Sequence, residues 1–273
     1  MFETLRNKGY QVQFVSHAKA ILSIDFPEAL SELEQALSEQ SIPIEEIIGS
    51  GGGETKGTQR LRRNLTARCW LKENFVIAKT INGELRQSVS HEIDHVRTFP
   101  RDSGPPDRIA LEIEWNNKDP FFDRDLENFK RLHAEGAISV GVIVTRGTTM
   151  QDDMKELARQ WIDSKNANSF DDLRAAGITP TARQRRDVMK RVERPKNPLP
   201  FRQAWVDHFV SDKFGAATTH WRKLEDRVSR GVGNPCPLVL IGLPSSIVTF
   251  DEPPSVVEAL IEEGATEPSD TEE

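Results

Sequence analysis

Residues 91–119 read HEIDHVRTFPRDSGPPDRIALEIEWNNKD, and the bend at their centre decides how the chain is read. The DSGPP run, residues 102–106, is among the strongest turn signals in the sequence. Asp94 and Glu112 are equally distant from Ser103 within it. Two strands paired antiparallel about that turn set Asp94 opposite Glu112, and opposed residues point to the same side of a sheet. Glu114 lies two residues beyond Glu112 and shares that side. Leu111, Ile113 and Trp115 fill the other side. A solvated hairpin face shows the same alternation, but the residues after Glu114 argue against so plain a reading. Three acids at the edge of a sheet repel one another unless a divalent cation neutralises them, and an oxygen-only ligand set suits Mg2+.

After Trp115 the chain continues NNKDPFFDRDLENFKRLHAEG. Asp119 followed by Pro120 reads as a helix start, with a side-chain acceptor at the N-cap and proline at the first helical position. Phe122, Leu126 and Phe129 recur at helical spacing, Leu132 and His133 extend the stripe, and Gly136 marks the end. The apolar, β-branched run AISVGVIVTRG then predicts a buried strand over 138–145. The order is hairpin, helix, strand, with the acids on the hairpin. It matches the core of a nuclease fold of the PD-(D/E)XK kind.

The stretch from Glu112 to Gly147, with HEID before it, closely resembles type II restriction endonucleases of the BglII/BamHI kind. GGGETKGTQRLRRNL at 51–65, and KFGAATTHW with RGVGNPCPLVLIGLP between 213 and 244, belong to the same pattern. The resemblance implies an α/β fold with a PD-(D/E)XK restriction-endonuclease-like core, a mixed central sheet flanked by helices. It also implies Mg2+-dependent hydrolysis of a phosphodiester in a short palindromic duplex site by a homodimer, with a cognate DNA methyltransferase protecting the host. By the resemblance, Asp94 is the motif aspartate that binds or bridges the metal, and Glu112 is a second metal ligand. Glu114 stands where most relatives carry lysine. Glutamate there is similar to the BamHI variant and glutamine to the BglII one, so the departure does not exclude catalysis. Glu114 either accepts a proton from the attacking water or helps to hold a second cation. A third acid is expected from elsewhere, and Glu54, in the GGGET loop, is the candidate; a glutamate at a helix N-terminus is equally explained by the helix dipole.

Contacts to DNA are sought in three places. The stretch TQRLRRNLTAR predicts an amphipathic helix with Leu61 and Leu65 on one face and a basic face carrying Arg60, Arg62 and Arg63, suited to phosphates. Asn116, Asn117 and Lys118 come just after the acids, near the scissile phosphate; asparagine pairs with adenine in the major groove. Lys213, Thr218, Thr219 and His220 fall where the resemblance places further contacts. His220 is not assigned catalysis. His91 and His95 flank Asp94, with His95 on the opposite face, which makes a zinc site there weak. Gly51, Gly52 and Gly53 fit no nucleotide-binding loop, since neither GxGxxG nor GxxxxGK[ST] is present.

Composition agrees with this reading without having suggested it. The chain has 273 residues, 37% hydrophobic and 29% charged, enough for one large domain. Cys69 and Cys236 build no disulfide framework or zinc site. Without an apolar run of membrane-spanning length or a signal peptide, a cytoplasmic protein with no membrane association is expected. The net charge of −7 is unusual for a DNA binder, but residues 251–273 hold nine Asp or Glu and no Lys or Arg. Within 181–230 there are 13 Lys or Arg against 6 Asp or Glu, so positive charge collects where a DNA cleft needs it.

The expected organisation is a single nuclease domain over 1–250, with a catalytic core at about 50–150 and a DNA-contacting part at about 180–245. An acidic tail, 251–273, holds a short helix followed by disorder. A strand is expected at 10–16 and a helix through SIDFPEALSELEQALSEQ, capped by Ser23 or Asp25. A further helix is expected at DDMKELARQWID, a basic arm or loop at 180–200, a helix at AWVDHFVSDK, and a closing strand at 237–242. Two alternatives stay open: another DNA nuclease on the same core, for repair or nicking, and an inactive DNA-binding relative, which the missing lysine keeps alive. A hydrolase of small phosphate esters is disfavoured by the arginine-rich segments.

Overall fold

The computed structural model describes residues 1–49 and 55–250. The chain opens with helix α1 (Glu3–Asn7), strand β1 (Gln11–Val15), helices α2 (Ala18–Ile24) and α3 (Pro27–Ser38), the short strand β2 (Ile42–Pro43), and helices α4 (Ile44–Gly49) and α5 (Lys56–Ala67). Strands β3 (Trp70–Ile81), β4 (Glu84–Phe99) and β5 (Asp107–Glu114) lead into helix α6 (Phe121–Ala134) and strand β6 (Val140–Arg146). Helices α7 (Thr148–Ser164), α8 (Phe170–Ala175), α9 (Ala182–Val192), α10 (Phe201–Lys213) and α11 (Trp221–Ser229) precede strands β7 (Leu238–Leu243) and β8 (Val248–Thr249).

Six strands form one mixed sheet in the order β1-β7-β6-β5-β4-β3. Strands β5, β6 and β7 run parallel, while β1, β4 and β3 are antiparallel to their neighbours. The β4–β5 register pairs Phe99 with Asp107 and His95 with Leu111. This is the phase that the symmetry about Ser103 predicts, and the paired ladder ends one step short of Asp94 and Glu112.

Helices cover both faces. Ile109, Leu111, Val142, Val144, Val239 and Ile241 pack under the larger helical layer with Trp70, Met150, Trp161 and Trp205. Ala110, Ile143, Leu238 and Leu240 point the other way, onto Phe122, Leu126 and Phe129 of α6 and Leu224 of α11. The closest approach is at Gly141 on β6, where a Cβ would stand 2.4 Å from the Phe129 ring. Glycine is required there to seat α6 on the sheet.

Between the pairs Leu71–Val96 and Glu73–Ile93, β4 spends one residue more than β3. This is a β-bulge at Asp94–His95, a device that re-aims side chains. Beyond it β3 and β4 run on as a ribbon exposed over 78–88 and closed by Asn82-Gly83, both at positive φ (52° and 83°).

Several expectations are corrected. The helix through SIDFPEALSELEQALSEQ is two helices: α3 starts at Pro27, its N-cap is Phe26 without a side-chain bond, and Ser23 Oγ donates to the Lys19 carbonyl instead. Residues 180–200 are not a loose arm but carry α9, opened by a Thr181–Gln184 capping box and anchored by buried Val188. Proline and high charge obscured a helix that needs only one apolar side to pack. The strand expected at 237–242 is present as β7, which lies between β6 and β1. Likewise β4 and β5 are interior strands, so Glu112 and Glu114 near the end of β5, and Asp94 at the β4 bulge, do not stand at a sheet edge. The expected helix and disorder of the acidic tail lie outside the described residues.

Candidate active site

Glu112 and Glu114 sit on the side of β5 that faces α6. Both are buried, at 4% and 2% exposure, where ordinary alternation on a solvated hairpin would leave them in water. Thr145 of β6 pairs with Glu114 in the parallel ladder and donates from Oγ1 to its carbonyl oxygen at 2.7 Å. The Glu114 carboxylate accepts from Asn117 Nδ2 at 2.7 Å. Asp94 remains exposed at the bulge, close enough for its charge to act on Glu112.

The residue that sequence reasoning missed is Asp125. It lies on the buried stripe of α6, between Phe122 and Leu126, and is sealed from solvent. Its position three after Phe122 and four before Phe129 places a carboxylate on an apolar helical face, which is a legible signal for a buried functional acid. Asp125 and Glu114 are close enough for each carboxyl to act on the other's ionisation. Arg124 completes the cluster. Its Nε donates to Asp125 Oδ1 at 2.8 Å, Nη2 lies 2.7 Å from the same oxygen and 3.6 Å from Glu114 Oε1, and the guanidinium rests over the Phe121 ring at 4.5 Å.

Burial first, then the neighbouring charges of Asp125 and Asp94, pushes Glu112 up to about 10. Burial and Asp125 likewise push Glu114 up to about 8, with Asn117 opposing. Asp125 is raised by burial, against which Glu114 and Arg124 act. Four acids thus face one guanidinium, and one oxygen, Asp125 Oδ2, is buried without a hydrogen-bond partner. Clustered carboxylates with excess negative charge and an unmet acceptor are the donor chemistry of a hard divalent cation. Among the described residues, no group of three or more His, Cys, Asp or Glu already stands as a ligand set. The donor chemistry of these carboxylates fits such an ion. Glu54 lies outside the described residues.

Two of the segments singled out for DNA contact come together. The Thr219 amide donates to the Asn117 carbonyl at 2.8 Å, the Asn117 amide to Thr219 Oγ1 at 3.0 Å, and Lys118 forms a β-bridge with Thr218. Asn117 and Lys118 are exposed, and Asn116 is half-buried with its Oδ1 lacking a partner. Thr219 and His220 are buried. Beneath it, fully buried Arg146 donates from Nε to the Trp115 carbonyl at 2.8 Å and from Nη2 to Thr218 Oγ1 and the Thr219 carbonyl. His95, on the face away from Glu112, is held near 4 mainly by burial.

The third segment is helix α5. Leu61 and Leu65 bury one side of α5 as expected, but Arg60 is committed to Glu46 through Nη1 at 2.6 Å and Nη2 at 2.8 Å. Arg62 and Arg63 are exposed. Lys213 is half-buried at the end of α10, over the Phe209 ring and 3.4 Å from the Ile48 carbonyl. Part of the basic character of 181–230 is spent internally: Arg183 pairs with Asp212, Arg222 with Asp152, Lys223 with Asp119, and Arg227 with Asp123. Asp119 serves α11 this way instead of capping α6, whose N-cap is Pro120.

A mixed six-stranded sheet flanked by helices, with buried acids where β5 ends, has the architecture of a restriction-endonuclease-like core. The model of the family described as restriction endonuclease BglII/BglIII matches residues 10–243, and the chain belongs to that family. Membership carries DNA binding and site-specific cleavage of DNA with it. No curated protein matches the chain. Among the described residues no helix is long and apolar enough to cross a membrane.

Proposed function

We propose that this chain is a Mg2+-dependent type II restriction endonuclease that cuts both strands of a short palindromic duplex site as a homodimer. The observation that carries the reading is the cluster of Glu112, Glu114 and Asp125, buried together against one arginine in a chain of this family. Asp94 and Glu112 are the metal ligands in this reading, with Glu114 at the reacting water. A divalent cation held there supplies positive charge to the phosphate and acidifies water. In the hydrolysis, a water oxygen bonds to phosphorus and the bond from phosphorus to one deoxyribose oxygen breaks. One water proton passes to Glu114, whose Oε2 accepts from Asn117 and whose Oε1 faces Arg124; the departing oxygen takes a proton from solvent. Nothing is oxidised or reduced.

The exposed Asn117 and Lys118, at the mouth of the cluster, meet the DNA near the scissile phosphate, with Arg62 and Arg63 of α5 on the backbone. A palindromic site is read by two copies related by a two-fold axis, each cutting one strand. A DNA methyltransferase of the same specificity is the functional counterpart.

Plasmid digestion tests the proposal. Purified protein with Mg2+ is expected to give discrete fragments, and chelation with EDTA to stop the reaction. Asp94→Ala and Glu112→Ala are expected to abolish cutting while the proteins still bind duplex in Ca2+. Cutting by Asp94→Ala at the parental rate would remove the assigned centre.

A further inference from the structure

We propose that Arg124 is itself a catalytic residue: its guanidinium takes a non-bridging oxygen of the scissile phosphate and offsets the negative charge that builds there. The inference rests on the nuclease reading of this site and goes beyond it, because that reading names only acids.

The hydrolysis gathers charge on the phosphate oxygens beside a cluster that is already over-supplied with carboxylates, so a fixed cation is required at the same place. Among the described residues, Arg124 is the cation within ion-pair distance of Glu114 and Asp125. Its neighbours are occupied elsewhere: Lys223 and Arg227 pair with Asp119, and Arg227 also with Asp123. The Arg124 fork is held along one edge by Asp125 and Glu114 and steadied by the Phe121 ring. Its Nη1 has no protein partner among the described residues, and 53% of the side chain is exposed. A planar fork can grip a carboxylate with one edge and present the other to a phosphate, which an ammonium cannot do as well. Placement on the first turn of α6 also puts the group on a rigid element, since Phe122, Leu126 and Phe129 lock that helix to the sheet. Arg124 moves no proton in this role; it binds and orients an oxygen through N–H groups.

The test uses full-length protein, Mg2+ and a duplex containing the site mapped by fragment-end sequencing, under single-turnover conditions. Arg124→Ala is expected to slow cleavage by roughly 10²–10³-fold, the cost of removing one charge-stabilising donor. Binding of the same duplex in Ca2+ should change far less. Arg124→Lys should fall between the two. Guanidinium ion added at millimolar concentration should restore part of the activity of Arg124→Ala and none to Glu112→Ala, a readout that a merely structural arginine would not move. Circular dichroism melting checks that each variant is folded; if Arg124→Ala is not, Arg124→Lys carries the comparison. Parental cutting by a folded Arg124 variant, or slow cutting that guanidinium leaves unchanged, overturns the inference while leaving the nuclease reading in place. Cutting by Glu112→Ala at the parental rate would instead sink the nuclease reading, and this inference with it.

Discussion

Arg146 Nε and the Trp115 carbonyl oxygen meet at 2.8 Å inside the protein, joining the end of one parallel strand to the residue just after Glu114 on the next. The arginine is fully buried and burial draws its pKa down to about 9. Its other donors reach Gln151 Oε1, Thr218 Oγ1 and the Thr219 carbonyl. A single side chain therefore braces the acid-bearing strand against the segment that is zipped to Asn117.

Arg146→Lys keeps the buried charge but cannot span four acceptors in one plane. Loss of about 2–4 kcal/mol of stability is expected, because buried acceptors are left unmet. A urea denaturation midpoint measures it. Cutting should weaken too, since Trp115, just after Glu114, and the Thr218–Thr219 segment zipped to Asn117 lose their common support; unchanged stability would show the brace to be dispensable.

Gly141→Ala tests the seat of α6. The added methyl would collide with the Phe129 ring at 2.4 Å. A cost of about 1–3 kcal/mol is expected for an overpacked core, with a fall in cutting because α6 carries Arg124 and Asp125. Pairing Gly141→Ala with Phe129→Leu should recover stability, measured by thermal melting, if the clash is the cause.

Asp125→Asn separates function from folding. Removing one of several crowded carboxyls relieves repulsion, so melting in EDTA should rise, by about 1–2 kcal/mol in stability. Added Mg2+ should then raise the melting temperature less than it does for the parent, by linkage. Plasmid cutting should fall. A variant that melts lower in EDTA would mean the cluster is not strained.

His220 makes stability depend on acid. Burial, then the charges of Arg146 and Lys223, lowers its pKa to about 4. The unfolded chain binds a proton near pH 6.5, the folded chain only near 4. Its contribution is therefore fully present above about pH 6.5 and is lost as pH falls toward 4. Denaturation midpoints taken across that window should fall less steeply for His220→Gln than for the parent. Equal slopes would show that His220 titrates normally.

The paired strands and their register are readable because strand faces repeat every two residues and the DSGPP turn fixes the phase. That logic puts Glu112 and Glu114 on one side, and their burial comes from α6 lying over them. Helix α6 is legible from Phe122, Leu126 and Phe129. Asp125 stands in the same stripe, and its carboxylate on that apolar face is the overlooked signal. The β3–β4 ribbon has its signal in Asn82-Gly83, which is easily passed over because few apolar residues flank it. Helix α9 escapes for the opposite reason: Val188 is its only buried residue, so no apolar period shows. The pairing of Arg60 with Glu46, and the zipping of Asn117 to Thr219, depend on contacts far apart in sequence that no local pattern encodes.

The extra residue at Asp94–His95 has a consequence for variation. It uncouples the alternation of the projecting ribbon from that of the strand segment paired with β5. Substitutions, or paired insertions of equal length in both arms, can therefore accumulate at the ribbon tip without inverting which way the acid faces. Deleting that one residue would rotate Ile93 out of its apolar seat and break the two programmes' independence at a stroke.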